Sequence, residues 1–201
     1  MSFLVTASLL NSWAWYLNSW DDGEDAALAD LVKTLKREPI EDNEAMREGR
    51  AFEDAVTDYC TNGVEPSNDS YGDCVREVAE YVRGKIFQYK ASKLVTVNGV
   101  DFLLYGRMDA FGGPWIDDIK YGHSYEAGKY YDNPQLKMYL ELEPGPIGMR
   151  FIYSDGSGVY LDEYRRESVQ SIVPTVREFW DWLNGFPEYL ETYKREWVSK
   201  Y

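Results

Sequence analysis

Residues 105–122 read YGRMDAFGGPWIDDIKYG. The run ending at Met108 is rich in β-formers, and Gly112-Gly113-Pro114 marks a tight turn. Residues 115–120 then read as a short second strand. Side chains alternate faces along a strand, so Asp118 and Lys120 point one way. Ile119 points into the opposite layer, and Asp117 also lies on the face away from Lys120, where it reads as solvent-exposed. The hairpin brings Asp109 beside Asp118 and Lys120. Two carboxylates and one ammonium are thereby expected on one patch of sheet.

Upstream of this stretch, residues 86–97 and 100–108 are two β-rich runs separated by Asn98-Gly99. An Asn-Gly pair in that position is the strongest short hairpin signal. Three consecutive strands in an antiparallel meander follow from it. Ahead of them the sequence reads as helices over 8–83. Ser8 is a candidate cap, a second helix covers 21–36 before Pro39, and Asn43 is a candidate cap for a third. In that third helix Met46, Phe52, Val56 and Tyr59 form an apolar stripe, and a fourth covers 72–83. Residues 125–142 read as a helix broken at Asn133-Pro134, and two more strands, 149–153 and 159–164, are turned by Asp155-Gly156-Ser157-Gly158. Helices fill 168–200 with a break at Gly185-Phe186-Pro187. This order predicts one mixed α/β (α+β) domain over residues 1–201, with helices packed on a central sheet of about five strands.

Two carboxylates a few ångströms apart repel and raise each other's pKa. A Mg²⁺ or Mn²⁺ ion between them removes the conflict and suits carboxylate, phosphate and water oxygens together. Such an ion lowers the pKa of bound water and offsets charge building on a phosphate, while a nearby lysine orients or deprotonates the water. These are the parts needed for phosphodiester hydrolysis. Asp-x-Lys alone equally describes an ordinary ion pair, worth under about 1 kcal/mol at a surface. The further residues around it have to carry the argument.

With those residues the pattern resembles the PD-(D/E)xK nuclease superfamily, in particular its RecB-like and phage exonuclease branch. There an acid on one strand, here Asp109, precedes D/E-x-K on the next, here Asp118-Ile119-Lys120. Gly106 fits the glycine often found before the first acid. Glu53, in GRAFEDAV, matches an upstream helical glutamate, and Gln135-Leu136-Lys137-Met138-Tyr139 matches the branch's Q-x-x-x-Y. The match covers about residues 45–140. Met108 replaces the proline of the first motif, and the four iron–sulfur cysteines of some members are absent. The resemblance implies a restriction-endonuclease-like core. Asp109, Asp118, Glu53 and the Ile119 carbonyl would face a Mg²⁺ or Mn²⁺ ion, and Lys120 would activate water. Gln135 and Tyr139 would line the site and contact the substrate backbone. Arg107, Lys137, Lys129 and Arg50 are candidate phosphate contacts, and His123 reads first as a turn residue, with phosphate binding as the lesser alternative.

The net charge of −14 argues against simple attraction to nucleic acid. Part of the acid lies in residues 21–25 and 38–48, where charge runs are usually solvated faces. Cys60 and Cys74, without a C-x-x-C pair, read as reduced thiols and not as a metal site. The apolar start lacks a basic leader, and no run of eighteen apolar residues appears, so a cytoplasmic protein without a membrane span is expected. The expected activity is that of a metal-dependent deoxyribonuclease, an exonuclease in phage or bacterial recombination or DNA processing. The expected partner is DNA, with a homo-oligomer or a recombination protein as a further one. The alternatives are a non-catalytic acidic binding protein or inhibitor of the same fold, and a restriction-like endonuclease.

Overall fold

The computed structural model describes residues 1–19, 23–39 and 41–199. Its centre is β3 (Val100–Gly112), a strand of 13 residues. Strand β2 (Ile86–Val97) runs antiparallel along one whole edge, from Ile86↔Phe111 to Val97↔Val100. The link between them is the expected tight turn, with Asn98 at φ 52° and Gly99 at φ 79°. Those two positive values suit the mirror-image turn that matches strand twist.

The other edge of β3 is shared. Strand β1 (Ser2–Thr6) pairs with it in parallel, from Ser2↔Asp101 to Thr6↔Tyr105. Strand β4 (Trp115–Tyr121) pairs only at Ala110↔Asp117, Phe111↔Ile116 and Gly112↔Trp115. Residues 106–109 thus have no strand on that side, and the sheet is notched there. Beyond β4 lie β5 (Gly148–Ser154), parallel to it, and β6 (Val159–Arg165), antiparallel to β5. The sheet is open, mixed and six-stranded.

The sixth strand departs from the expected five. It comes from residues 2–6, ahead of the expected cap at Ser8, where Phe3 and Val5 are buried, Phe3 between the sheet and the C-terminal helices. Thr6, not Ser8, caps helix α1 (Ala7–Asn18): its hydroxyl accepts from the Leu9 N–H at 3.2 Å. Helix α2 covers Glu24–Leu35, and the expected start at Asp21 lies outside the described residues. Helix α3 (Glu44–Asn62) is capped by Asn43 as expected and ends at Gly63, which takes φ 67°. Its stripe holds at Phe52 and Val56, whereas Met46 is exposed. Asp69 caps α4 (Ser70–Val82).

Between β4 and β5 the expected long helix is cut down to α5 (Pro134–Leu142), capped by Asn133 with Pro134 in its first turn. Residues 122–133 form a turn-rich strap instead. Buried Asp162 holds this strap by accepting from the Tyr125 O–H at 2.6 Å and the Gly128 N–H at 3.1 Å. Gly128 there has φ 81°, outside any helix. The chain closes with a single helical turn at Arg166–Ser168, α6 (Val173–Gly185) and α7 (Pro187–Glu196); Lys200, the expected end, lies outside the described residues.

Helices cover both faces. One core joins Leu9, Trp13, Phe102, Met108, Leu136 and Phe179, placing α1, α5 and α6 on one side. The other joins Phe52, Val56, Val78, Ala110, Ile119 and Ile152, placing α3 and α4 opposite. Cys60 and Cys74 are free thiols. Among the described residues no helix is long and apolar enough to cross a membrane.

Candidate active site

The notch in the sheet gathers the charged residues. Where the β3–β4 ladder stops after Ala110↔Asp117, the next backbone N–H groups of β4 lose their strand partner. A buried N–H left unpaired is costly. The Asp109 carboxylate takes up that role, its Oδ2 accepting from the Ile119 N–H at 2.9 Å. Asp109 is therefore fixed at the mouth of the fork, and Asp118 lies across it.

Asp118 is fully buried. Gln135 Nε2 donates to its Oδ1 at 2.5 Å, and Lys120 Nζ lies 2.5 Å from Oδ2. The second contact is an ion pair without the alignment of a hydrogen bond, so Oδ2 is a buried oxygen with no directed donor. Lys120 also donates weakly to Gln135 Oε1 at 3.4 Å. Gln135 and Tyr139 share one face of α5, and Gln135 Nε2 donates to the Tyr139 hydroxyl at 3.2 Å. Tyr139 in turn donates to the Arg107 carbonyl at 2.5 Å, inside the unpartnered stretch of β3. Gly106 admits that ring. A Cβ there would meet Tyr139 Cε1 at 2.7 Å and Leu142 Cδ1 at 2.8 Å. Gly106→Ala is expected to push Tyr139 and Gln135 off Asp118 and cost about 1–3 kcal/mol of stability. Urea unfolding checks it, and an unchanged midpoint would mean that α5 simply shifts to make room.

Glu53 approaches from α3, on the far side of the notch. Its Oε1 accepts a short hydrogen bond from Gln88 Nε2. Sequence reasoning missed Gln88. It lies with Asp109 at the step that the β2–β3 register skips, between Phe87↔Ala110 and Tyr89↔Met108, and takes φ 54°, which is unfavourable for a residue with a Cβ. The strands change faces at this pair: Tyr89 and Met108 pack in the first core, Phe87 and Ala110 in the second. That switch lets a helix from the second layer reach acids facing the first. No local composition marks it; an isolated glutamine in a β-rich run carries no turn signal.

The three carboxylates are in electrostatic conflict. Burial, then Asp118 and Glu53, push Asp109 well above the ordinary carboxylate range. Burial and Asp118 raise Glu53 as well. Burial disfavours the Lys120 ammonium, but Asp118 and Asp109 outweigh it and hold Lys120 above its usual value. A dication would relieve this conflict, and the donors are carboxylate oxygens, the class that Mg²⁺ and Mn²⁺ take. The undirected Oδ2 of Asp118 fits such an ion. Among the described residues no three acidic, histidine or cysteine side chains stand already closed into a cage, since Gln88 and the Ile119 N–H hold Glu53 and Asp109.

The raised Asp109 pKa has a signed consequence for stability. The native state binds this proton more tightly than the unfolded chain, whose pKa is about 3.9. The contribution is full below that value and is lost as pH rises through the folded one. Asp109→Asn is permanently neutral and keeps an oxygen for the Ile119 N–H. In EDTA at pH 7.5 it is expected to be more stable than the parent by roughly 1–2 kcal/mol. The gap should shrink toward pH 5, as thermal melts would show; a variant less stable than the parent at every pH would contradict it.

Other expected residues are placed apart. Asp117 is the clearest correction: it is not solvent-exposed but fully buried on the opposite face. Lys85 donates to its Oδ2 in a short hydrogen bond and Arg150 Nε to its Oδ1 at 2.6 Å. Lys137 lies off the Gln135–Tyr139 face, lining a small hollow with Tyr131 and Gln170, so it does not reach the patch. Tyr139 is largely buried with its hydroxyl on the Arg107 carbonyl, and with Gln135 it lines a hollow beside the notch. The Ile119 side chain packs in the second core. Arg50 is paired with Asp42, Lys129 lies over the Tyr130 and Tyr153 rings, and His123 sits exposed 3.4 Å from Glu48. Arg107 is exposed beside the notch.

No protein-family profile matches the chain, and no curated protein does. Solved structures do. LHK-Exo, determined in complex with dAMP, matches with a TM-score of 0.54 and 18% identity, covering 93% of this chain and 91% of that one. SSO0001 matches with a TM-score of 0.54 and 12% identity, covering 92% of this chain and 77% of that one. At these identities the likeness is one of fold: an open mixed sheet flanked by helices, of the restriction-endonuclease-like kind, shared with a nuclease.

Proposed function

We propose that this chain is a Mg²⁺- or Mn²⁺-dependent deoxyribonuclease, and an exonuclease in DNA processing or recombination. The observation that carries the reading is the convergence of Asp109, Asp118, Lys120 and Glu53 on the one unpartnered stretch of β3. Their arrival from two strands and a helix on the opposite layer has no structural need that a simple ion pair would not meet. The fold shared with LHK-Exo, solved with a deoxynucleotide, supports the choice of DNA.

Asp109, Asp118 and Glu53 would hold the ion, with the Ile119 carbonyl as a further candidate. When bound, such an ion lowers the pKa of water and offsets negative charge on the phosphate. The chain's own residues supply position and charge. Gln135 fixes the Asp118 carboxylate and touches Lys120, so both present one geometry. Asp118 and Asp109 hold Lys120 protonated, which suits it to steady charge developing on a phosphate oxygen more than to remove a proton. Asp109 and Glu53, both raised, would lose protons as the ion is taken up.

The test is incubation of linear and circular DNA, single- and double-stranded, with Mg²⁺, Mn²⁺ or EDTA, alongside Lys120→Ala. Metal-dependent loss of linear but not circular DNA, absent in the variant, is expected. Cutting of circles would make the protein an endonuclease. No cleavage with either metal would overturn the reading.

A further inference from the structure

We infer that an unpaired nucleic-acid strand leaves the notch along a cationic groove on the open face of β1, β3 and β2, held by Arg37, Lys90 and Arg107 over a floor formed by Tyr105 and Leu103. The choice of ligand rests on the nuclease reading; the groove itself rests on charge and geometry. Two hollows adjoin the patch. The nearer, about 300 Å³, is lined by Thr6, Ser8, Asn11, Arg107 and Gln135 among others. The farther, about 530 Å³, is lined by Leu4, Arg37, Lys90, Leu103 and neighbours. Tyr105 lines both, so they meet at that ring. Leu103, Tyr105 and Arg107 follow one another on one face of β3 at steps of about 7 Å, leading toward Asp109.

The cations crowd one another, and of the three only Arg107 lies within electrostatic reach of a site carboxylate, Glu53. Lys90 and Arg107 are direct cross-strand partners, and like charges so placed destabilise a sheet. Among the described residues neither they nor Arg37 belongs to an ion pair, in a chain of net charge −14. Some exposed cations find acids among the described residues, as Arg50 finds Asp42 and Lys93 finds Glu141, while others such as Arg165 and Arg177 do not; what sets Lys90 and Arg107 apart is that the two unpaired cations face each other across the strands. Arg37 is oriented instead by the Trp197 ring, 4.7 Å from its guanidinium, and by the Glu196 carbonyl. Phosphates are the anions that recur along a polymer leaving a nuclease site. The half-exposed Tyr105 and Leu103, with exposed Leu94 paired to Leu103, offer flat apolar surface that paired bases cannot use. A cationic track with such a floor is how sequence-tolerant single-strand binding is built.

The experiment is fluorescence anisotropy of a fluorescein-labelled oligo-dT strand in EDTA, across a salt series. It compares the parent, the double variant Arg37→Ala/Lys90→Ala, Lys90→Arg and Tyr105→Ala. These side chains are exposed or half-exposed, and melting curves check that the variants fold. The double variant should bind about tenfold or more weakly, with its log–log salt slope reduced by about 1.4, roughly 0.7 for each lost phosphate contact. Lys90→Arg should keep the parent's slope, and Tyr105→Ala should weaken binding at an unchanged slope. A double variant that binds like the parent would overturn the groove, even where the parent cuts DNA. So would preferential binding of duplex. Slope loss in the double variant, when the parent cuts no DNA, would keep the groove and reject the nuclease reading.

Discussion

Asp117→Ala is expected to cost about 3–5 kcal/mol of stability, the usual result of removing one partner from a buried ion pair. For a chain of this size that corresponds to a fall in melting temperature of about 6–20 °C. The reason lies in what the substitution leaves behind. Lys85 and Arg150, each with little of its side chain exposed, would keep their charges against the sheet with no buried counter-ion. Arg150 is further enclosed by the Tyr81 and Trp115 rings, and Glu163 at 3.9 Å is too distant and too exposed to replace Asp117. Lys85 would retain only the Trp115 carbonyl, at 2.9 Å. A variant that melts with the parent would show that water reaches both cations and that the cluster is less enclosed than its geometry indicates.

Its neighbour should behave in the opposite way. Asp118→Asn is expected to lower DNA cleavage by about 10³-fold or more, the scale of several kcal/mol of lost charge stabilisation. Stability should change little, within about 1 kcal/mol, because the substitution removes a negative charge from a site that carries too much of it. Lys120 loses a partner but keeps Asp109 nearby and remains partly open to water. Initial rates on labelled linear DNA in Mn²⁺, set beside thermal melts, separate the two variants. An Asp118→Asn protein that cuts at the parent's rate would remove Asp118 from the chemistry. Two adjacent aspartates meet different surroundings, Asp117 a pair of buried cations and Asp118 the notch, because side chains alternate along the strand.

That alternation was legible in the sequence, and so was much of the site. The β2–β3–β4 meander followed from Asn98-Gly99 and from Gly112-Gly113-Pro114, because turns of that kind are set by local backbone geometry. Asp109, Asp118 and Lys120 came together because a hairpin and a period of two place them so. The face of Asp117 was right but its exposure was not. Its partners Lys85 and Arg150 lie more than thirty residues away on either side, and nothing local announces them. Strand β1 was missed for the same reason, since its pairing partner is about a hundred residues downstream. The helix expected before Pro134 failed at Gly128 and at the hold of Asp162, a residue on β6. Lys137 was expected at the site although it sits two positions from both Gln135 and Tyr139, which on a helix is nearly the opposite side. Gln88 was invisible because its role comes from a positive φ and a face switch, not from its side-chain type.

Asp109, Asp118 and Glu53 are proposed to form one electrostatically coupled site for a hard dication. Calorimetric titration of the metal-free protein with Mn²⁺, repeated in buffers of different ionisation enthalpy, tests it most directly. The expected result is uptake accompanied by proton release that grows as the pH is lowered from 7 to 6, with both reduced in Asp109→Asn. Absence of uptake by the parent, or equal uptake and proton release by the variant, would contradict it.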